Sequence, residues 1–303
     1  MFNTILVATD LLDACDAHVH TAINLAKKYQ SKLIILHLCE SATHGKYRHY
    51  IKHFQTGEDI VTDSSYEETI KGTIREVCGD ALGDNVDYEI IVKPGFPWEE
   101  ILRCARKNRV DLVVLGPHTN RAEEMGVVRV TGPLDSTADG VIMHERYPVI
   151  ISNQYVPENR LDFKKIMVCI DFAESCKLAC RVAIKMAHEN RAKLYIFHML
   201  PTTFISDELR QKAENIEEEF EKLSSAIPEP VEYEHVVREG TVPYLEILKF
   251  STEEDIHLIA MGSHLREKGK RWYDRSAVQQ VSARAACPVM IVSTKRALQQ
   301  MLK

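Results

Sequence analysis

The sequence predicts an α/β protein in which one domain is written twice, each copy an open five-stranded parallel sheet with helices on both faces. Three observations carry that prediction. The same landmarks recur in the same order in both halves of the 303 residues. The candidate strands are short, unbroken runs of Val, Ile and Leu, the composition of strands covered on both sides. Stretches of helical period separate them, and right-handed crossovers between parallel strands then give a doubly wound sheet.

The elements follow in pairs. The run Asn3 to Asp10 matches Lys164 to Asp171, each apolar and ending in an aspartate. Helical stretches follow at Ala17–Tyr29 and Lys177–Asn190, with apolar residues three and four apart. A second strand carries a histidine near its end in both halves, His37 before Leu38 and His198 before Met199. Tyr88–Val92, then Gly95 and Pro97, matches Tyr233–Val237, then Gly240 and Pro243. Helices at Trp98–Asn108 and Tyr244–Ser251 lead to strands ending at Gly116 and Gly262. Each half closes with a helix and a last strand, Tyr147 to Ser152 against Cys287 to Ser293. The domains are placed at 1–153 and 160–303, joined by a polar stretch, Asn153–Phe163, that contains Pro157.

Two length differences separate the copies. Asp10 to Gly95 spans 85 positions and Asp171 to Gly240 spans 69, so the first half carries 16 more residues there. They fall around Ser41–Gly72, where His44, His49 and His53 cluster, and a longer helical excursion is expected. Gly116 to Pro148 spans 32 positions against 26 from Gly262 to Pro288, a six-residue insertion in the last loop of the first half.

Composition bounds the function. Hydrophobic residues at 45% and charged residues at 27% suit a globular chain with a real core. A net charge of -6 argues against a general nucleic-acid surface. No run approaches the roughly 18 apolar residues of a membrane span, and the start lacks the features of a signal peptide. The eight cysteines contain no Cys-x-x-Cys pair and read as reduced thiols of a cytoplasmic protein. Cys176 and Cys180 share a helical face but lack third and fourth ligands, so no metal site is expected. Nor is there a nucleophile elbow, a Walker lysine loop or a metalloprotease helix, and no dedicated turnover chemistry is expected.

In open parallel sheets a ligand binds beyond the carboxyl ends of the strands, where the strand order reverses. Asp10 and Asp171, the histidine-bearing second strands, and Gly116 and Gly262 all lie at such ends. At these residues, and at the closing Tyr-Pro-Val and Cys-Pro-Val strands, the chain resembles the universal stress protein family in its tandem form over nearly its whole length. The resemblance implies two tandem Rossmann-like (adenine nucleotide alpha hydrolase-like) domains packed about a pseudo-two-fold axis. The last strands, Val149–Ser152 and Val289–Ser293, would then pair antiparallel, each covering an edge that otherwise invites aggregation. A further homodimer stays open.

The resemblance also implies a ligand site for ATP or a related adenine nucleotide. Asp171 would face the base or ribose, Met199 would line the base and Met261 would lie beside the sugar. Asp10, Leu38 and Leu115 are the counterparts in the first half. An aspartate in that position also reads as a cap of the following helix, and the two readings are compatible. Family members that hold ATP carry a loop of form G-x-x-G, nine residues, then G-S or G-T. Its glycines let backbone N–H groups reach phosphate, and a helix starts at its end. In the second half Gly262, His264, Leu265, Arg275, Ser276 and Ala277 fall in that register, with two glycines replaced by Leu265 and Arg275. In the first half the final pair is Asp135-Ser136, and Asp135 would set a carboxylate against a phosphate.

The segment between Leu265 and Arg275 carries Arg266, Lys268, Lys270 and Arg271, and reads either as a solvated loop or as a phosphate-facing lid. His37 and His198, recurring in both halves, read as structural. The expected function is a stress-response protein that binds a nucleotide in its second half and acts through an unidentified protein partner. The rival is a scaffold whose pockets no longer bind nucleotide.

Overall fold

The structure, a computed structural model, describes residues 1–11, 17–39, 50–52, 59–61, 64–117, 120–124, 127–131, 136–144, 147–153, 156, 158–172, 174–202, 216–263 and 275–292. In the first half the main strands are β1 (Thr4–Thr9), β2 (Lys32–Cys39), β5 (Tyr88–Pro94), β6 (Leu112–Leu115) and β9 (Val149–Ile151). Helices α1 (Ala17–Tyr29), α2 (Ser64–Leu82), α3 (Pro97–Lys107) and α4 (Ser136–His144) alternate with them. The second half repeats the series with β10 (Lys165–Cys169), β11 (Lys193–Pro201), β12 (Tyr233–Gly240), β13 (Leu258–Gly262) and β14 (Val289–Val292). Its helices are α5 (Glu174–Asn190), α6 (residues 216–224), α7 (Pro243–Glu253) and α8 (Arg275–Arg284).

All ten strands join one sheet, ordered β12-β11-β10-β13-β14-β9-β6-β1-β2-β5. Every neighbouring pair is parallel except β14 with β9, which is antiparallel with Val289 opposite Ile151, Met290 opposite Ile150 and Ile291 opposite Val149. The expected pairing of the last strands is therefore observed, with the pseudo-dyad at Met290 and Ile150. Alternation along each strand sends side chains into two apolar layers. One holds Ile5, Val7, Ile150, Ile166, Val168 and Met290 beneath α1, α2, α5 and α6; the other holds Leu6, Val149, Ile151, Met167, Cys169 and Ile291 beneath α3, α4, α7 and α8. Both layers run through the junction without a break.

The duplication extends to backbone conformation. Leu11 and Phe172, Gln30 and Arg191, and Arg109 and Asp255 are left-handed at corresponding places. The last two pairs end helices by the Schellman arrangement: Ser31 N–H donates to Ala26 O, Ala192 to Ala187 O, Val110 to Ala105 O and Ile256 to Ser251 O. Helices α3 and α7 each open on a proline, Pro97 or Pro243, at a position where a missing N–H costs nothing. Between the halves, Gln279 Nε2 on α8 donates to Asp139 Oδ1 on α4 at 2.9 Å. Lys28 Nζ donates to Leu161 O at 2.6 Å, and its ammonium lies 5.1 Å from the Phe163 ring centroid.

The length differences take a form other than the expected helical excursion. Within 41–72 lies an antiparallel ribbon of β3 (Tyr50–Lys52) and β4 (Asp59–Val61), and α2 starts only at Ser64. Ile51, Ile60 and Val61 are β-branched, which favours strand over helix. The loop that carries the six extra residues contains a second ribbon, β7 (Asn120–Glu124) with β8 (Val127–Thr131). His44, His49 and His53 lie outside the described residues.

Helix α2 carries two exposed glycines, Gly72 and Gly79, and a Cβ built at either meets nothing within 4 Å. Gly72→Ala with Gly79→Ala is expected to stabilise the chain by about 1.5 kcal/mol, the summed helix-propensity gain. An unchanged or lowered urea midpoint would contradict the open surroundings of both positions.

Candidate functional site

Within each half the strand order reverses beside the first strand: between β1 and β6, and between β10 and β13. In the second half this switch point is flanked by Asp171, two residues past β10, and by Gly262, the last residue of β13. The turn that carries the aspartate is built the same way twice. His198 Nδ1 donates to Ile170 O at 2.8 Å, and His37 Nδ1 donates to Thr9 O at 3.0 Å. Each imidazole thus holds the carbonyl immediately before Asp171 or Asp10. The residue after each aspartate is left-handed, Phe172 at φ 63° and Leu11 at φ 62°. Such non-glycine conformations cost about 1–2 kcal/mol each and persist only where the surroundings impose them.

Both histidines are buried, and burial pushes their imidazoles below the usual histidine range; the backbone hydrogen bond and the neighbouring aspartate raise them by less. The unfolded chain therefore takes up more protons than the folded one as pH falls through the ordinary histidine value of about 6.5. Stability is present in full above that value and is lost below it. His198→Gln, which keeps a donor but cannot titrate, is expected to flatten the loss of Tm between pH 7 and 5. The same slope in the variant would remove His198 from the account.

Asp171 is 7% exposed. Helix α5 opens three residues later, at Glu174. Its carboxylate accepts a hydrogen bond from the Cys176 thiol in the first turn of α5. The Cys176 thiol is pushed well up, first by burial and then by the negative charge of Asp171, so it stays protonated as the donor. Asp10 is half-buried by comparison. A Cys at the fifth position after the aspartate recurs in sequence, as Cys15 and Cys176.

Gly262 is required by close approach. A Cβ there would sit 2.5 Å from Ser175 C and 2.6 Å from Cys176 N, so the first turn of α5 rests directly on the end of β13. Met199, Met261 and Ala277 are 2%, 1% and 3% exposed and share one apolar layer with Cys169. Arg275 and Ser276 open α8, whose first N–H groups have no partner within the helix. His264, Leu265 and the cation-rich stretch to Asp274 lie outside the described residues, as does Ser293.

The first half differs at the same rim. At Gly116 a Cβ would meet the His18 imidazole at 2.8 Å, and His18 Nε2 lies 2.8 Å from Ala8 O. Beside it Thr21 Oγ1 and Ser152 Oγ are 2.9 Å apart. The second half has Ala179 and Val182 where the first has His18 and Thr21. Both ribbons follow the carboxyl ends of first-half strands, β3–β4 after β2 and β7–β8 after β6. Among the described residues no group of three or more His, Cys, Asp or Glu could hold a metal ion, no helix is long and apolar enough to cross a membrane, and none of the seven cysteines forms a disulfide.

The model of the universal stress protein family matches residues 1–152 and again 162–293. The chain belongs to the universal stress protein family. It carries the family domain in tandem, each copy Rossmann-like. A universal stress protein from Archaeoglobus fulgidus is 19% identical, with a TM-score of 0.63 over 96% of this chain and 98% of that one. A functionally unknown protein from Pseudomonas aeruginosa PAO1 is 14% identical, with a TM-score of 0.60 over 99% of this chain and 96% of that one. At those identities the likeness is one of fold. No curated protein matches the chain.

For this universal stress protein, sequence reasoning placed Asp171 and Gly262 at strand ends, and the fold sets them on either side of the switch point. It missed Cys176 as the partner of Asp171, although the repeated aspartate-to-cysteine spacing was a readable signal. It also missed His18, whose counterpart Ala179 gives no hint of a buried imidazole in the first half.

Proposed function

We propose that this chain is a stress-response protein that binds an adenine nucleotide in its second half and acts by changing its contacts with a protein partner. The observation that carries the reading is the asymmetry of the two rims. The second-half rim offers Asp171, the backbone at Gly262 and the N-terminal turn of α8, whose partial positive charge suits an anion. The first-half rim carries two ribbons and a buried His18 against Gly116. ATP or a related adenine nucleotide is the ligand class, with Asp171, Met199, Met261, Gly262, His264, Arg275, Ser276 and Ala277 as the site residues.

Calorimetric titration of the full chain with ATP tests the reading. Binding is expected, with at least a tenfold loss in Ser276→Asp, which sets a carboxylate at the helix end meant for phosphate. Binding that survives the substitution unchanged would remove the site from the second half. The scaffold reading is favoured by one observation, the side chains Leu265 and Arg275 standing where nucleotide-holding relatives have glycine. No heat with ATP, and no adenine nucleotide released on denaturation, would leave that reading in possession.

A further inference from the structure

The ten-stranded sheet ends in two outer strands, β12 and β5, and the duplication makes them counterparts. They are finished differently. In β12 the even-numbered residues point their backbone groups at β11, as the bonds from Leu194 N to Glu232 O and from Thr202 N to Gly240 O show. The backbone N–H and C=O groups of Tyr233, His235, Val237 and Glu239 therefore point outward. In β5 the bond from Leu33 N to Asp87 O sets the opposite parity, so Tyr88, Ile90, Val92 and Pro94 point outward. Pro94 has no N–H to offer, Val92 is buried, and Ile90 packs against the core. A proline at an outward position is one of the ordinary ways of blunting a sheet edge.

The edge at β12 has no such proline. Its four outward residues all keep an N–H and all are exposed, among them Tyr233 at 45% and Val237 at 44%. Among the described residues no strand pairs with it. Tyr233, His235 and Val237 also share one face, because side chains alternate along a strand.

We infer that β12 is an interface for a second copy of this chain, pairing antiparallel with β12 of that copy about a two-fold axis at His235. Only outward residues can exchange both backbone bonds in an antiparallel pair. A centre at His235 satisfies this and sets Tyr233 opposite Val237 of the second copy, and Val237 opposite its Tyr233. The two exposed apolar side chains then cover each other, and aromatic with β-branched is a favourable cross-strand combination. On the other face Glu232 stands opposite Arg238 of the second copy, so the register is also complementary in charge. The contact is isologous and closes on itself. It lies at the far edge of the sheet from the β9–β14 junction, which the chain has already used to join its own halves.

The test uses the full chain. Sedimentation at micromolar concentration is expected to give twice the chain mass for the wild type. Val237→Lys, a change at an exposed site, is expected to weaken association at least tenfold while leaving the circular dichroism melt unchanged. Tyr88→Lys, on the blunted edge, should leave the dimer intact. Cα atoms in such a backbone-bonded pair lie about 5.5 Å apart, within reach of a disulfide. Mild oxidation of His235→Cys should therefore give a reducible covalent dimer, which reports the register without disturbing Val237. A wild type that sediments as a monomer overturns the proposal. So does a dimer indifferent to Val237→Lys, or one that His235→Cys fails to cross-link.

Discussion

Ile291→Pro is expected to part the two halves of the chain. Odd-numbered residues of β14 point their backbone groups at β9, because the bonds from Ile259 N to Pro288 O and from Ser263 N to Val292 O commit the even ones to β13. The Ile291 N–H therefore crosses the pseudo-dyad to Val149, its partner in the ladder. Proline removes that donor and sets a ring in the centre of the sheet, where nothing relieves it. It also removes a side chain that is 1% exposed in the apolar layer common to both halves. A stranded carbonyl costs about 1–3 kcal/mol and truncation of a buried isoleucine about 2–5 kcal/mol, so a loss of about 5 kcal/mol is expected. That is comparable with the whole stability of many domains. Calorimetry should show a broadened or split transition at lower temperature, and limited proteolysis should open the stretch between the halves. Ile291→Val, which keeps the N–H, should cost only about 1 kcal/mol. A proline variant that melts with the wild type would mean that the junction does not hold the halves together.

Gly262→Ala is expected to cost about 3 kcal/mol, and Gly262→Val more, at the upper end of what overpacking does to a core. The reason is what the new Cβ would meet. Ser175 C and Cys176 N, at 2.5 and 2.6 Å, are main-chain atoms in the first turn of a 17-residue helix and cannot swing aside. The helix start would have to lift off β13, breaking the approach that seats Cys176 against Asp171. At Gly116 the obstacle is the His18 ring at 2.8 Å, a side chain that can give ground, so Gly116→Ala should cost less. Urea unfolding of the two alanine variants gives the ranking directly. If Gly262→Ala lies within 1 kcal/mol of the wild type, the close approach has no energetic weight.

Much of this fold is legible in the sequence because the duplication acts as an internal control. Helix α1 is observed over Ala17–Tyr29, the very span its periodicity predicts. The last strands pair because the buried runs Val149–Ile151 and Val289–Val292 have nowhere else to place their outward backbone groups. The insertions were the weak point. A stretch present in only one half has no counterpart to check against, and the polar residues of 41–72 suggested a helix where β-branched Ile51, Ile60 and Val61 make a ribbon. At the rim, residues tied to strand ends, such as Asp171 and Gly262, could be read from position alone. The contact between Cys176 and Asp171, and the burial of His18 beside Gly116, depend on how α5 and α1 sit on the sheet. Hydrophobic period fixes which face of a helix is buried, not which atom of it touches a turn.

The contact between Asp139 and Gln279 has a consequence for how such a chain can change over time. The two residues stand 140 positions apart, as do Ser136 and Ser276 at the openings of the same two helices, so they are one site of the ancestral fold seen from either side of the dyad. In a dimer of identical chains that site would face itself, carboxylate against carboxylate or amide against amide. Here an amide donates to a carboxylate at 2.9 Å. Covalent fusion has released the two sides from having to be the same residue. The junction can therefore become complementary rather than merely self-compatible, and a substitution accepted on one side is no longer imposed on the other. The same freedom lets the two rims diverge, as His18 against Gly116 in one half and Ala179 at the matching place in the other already show.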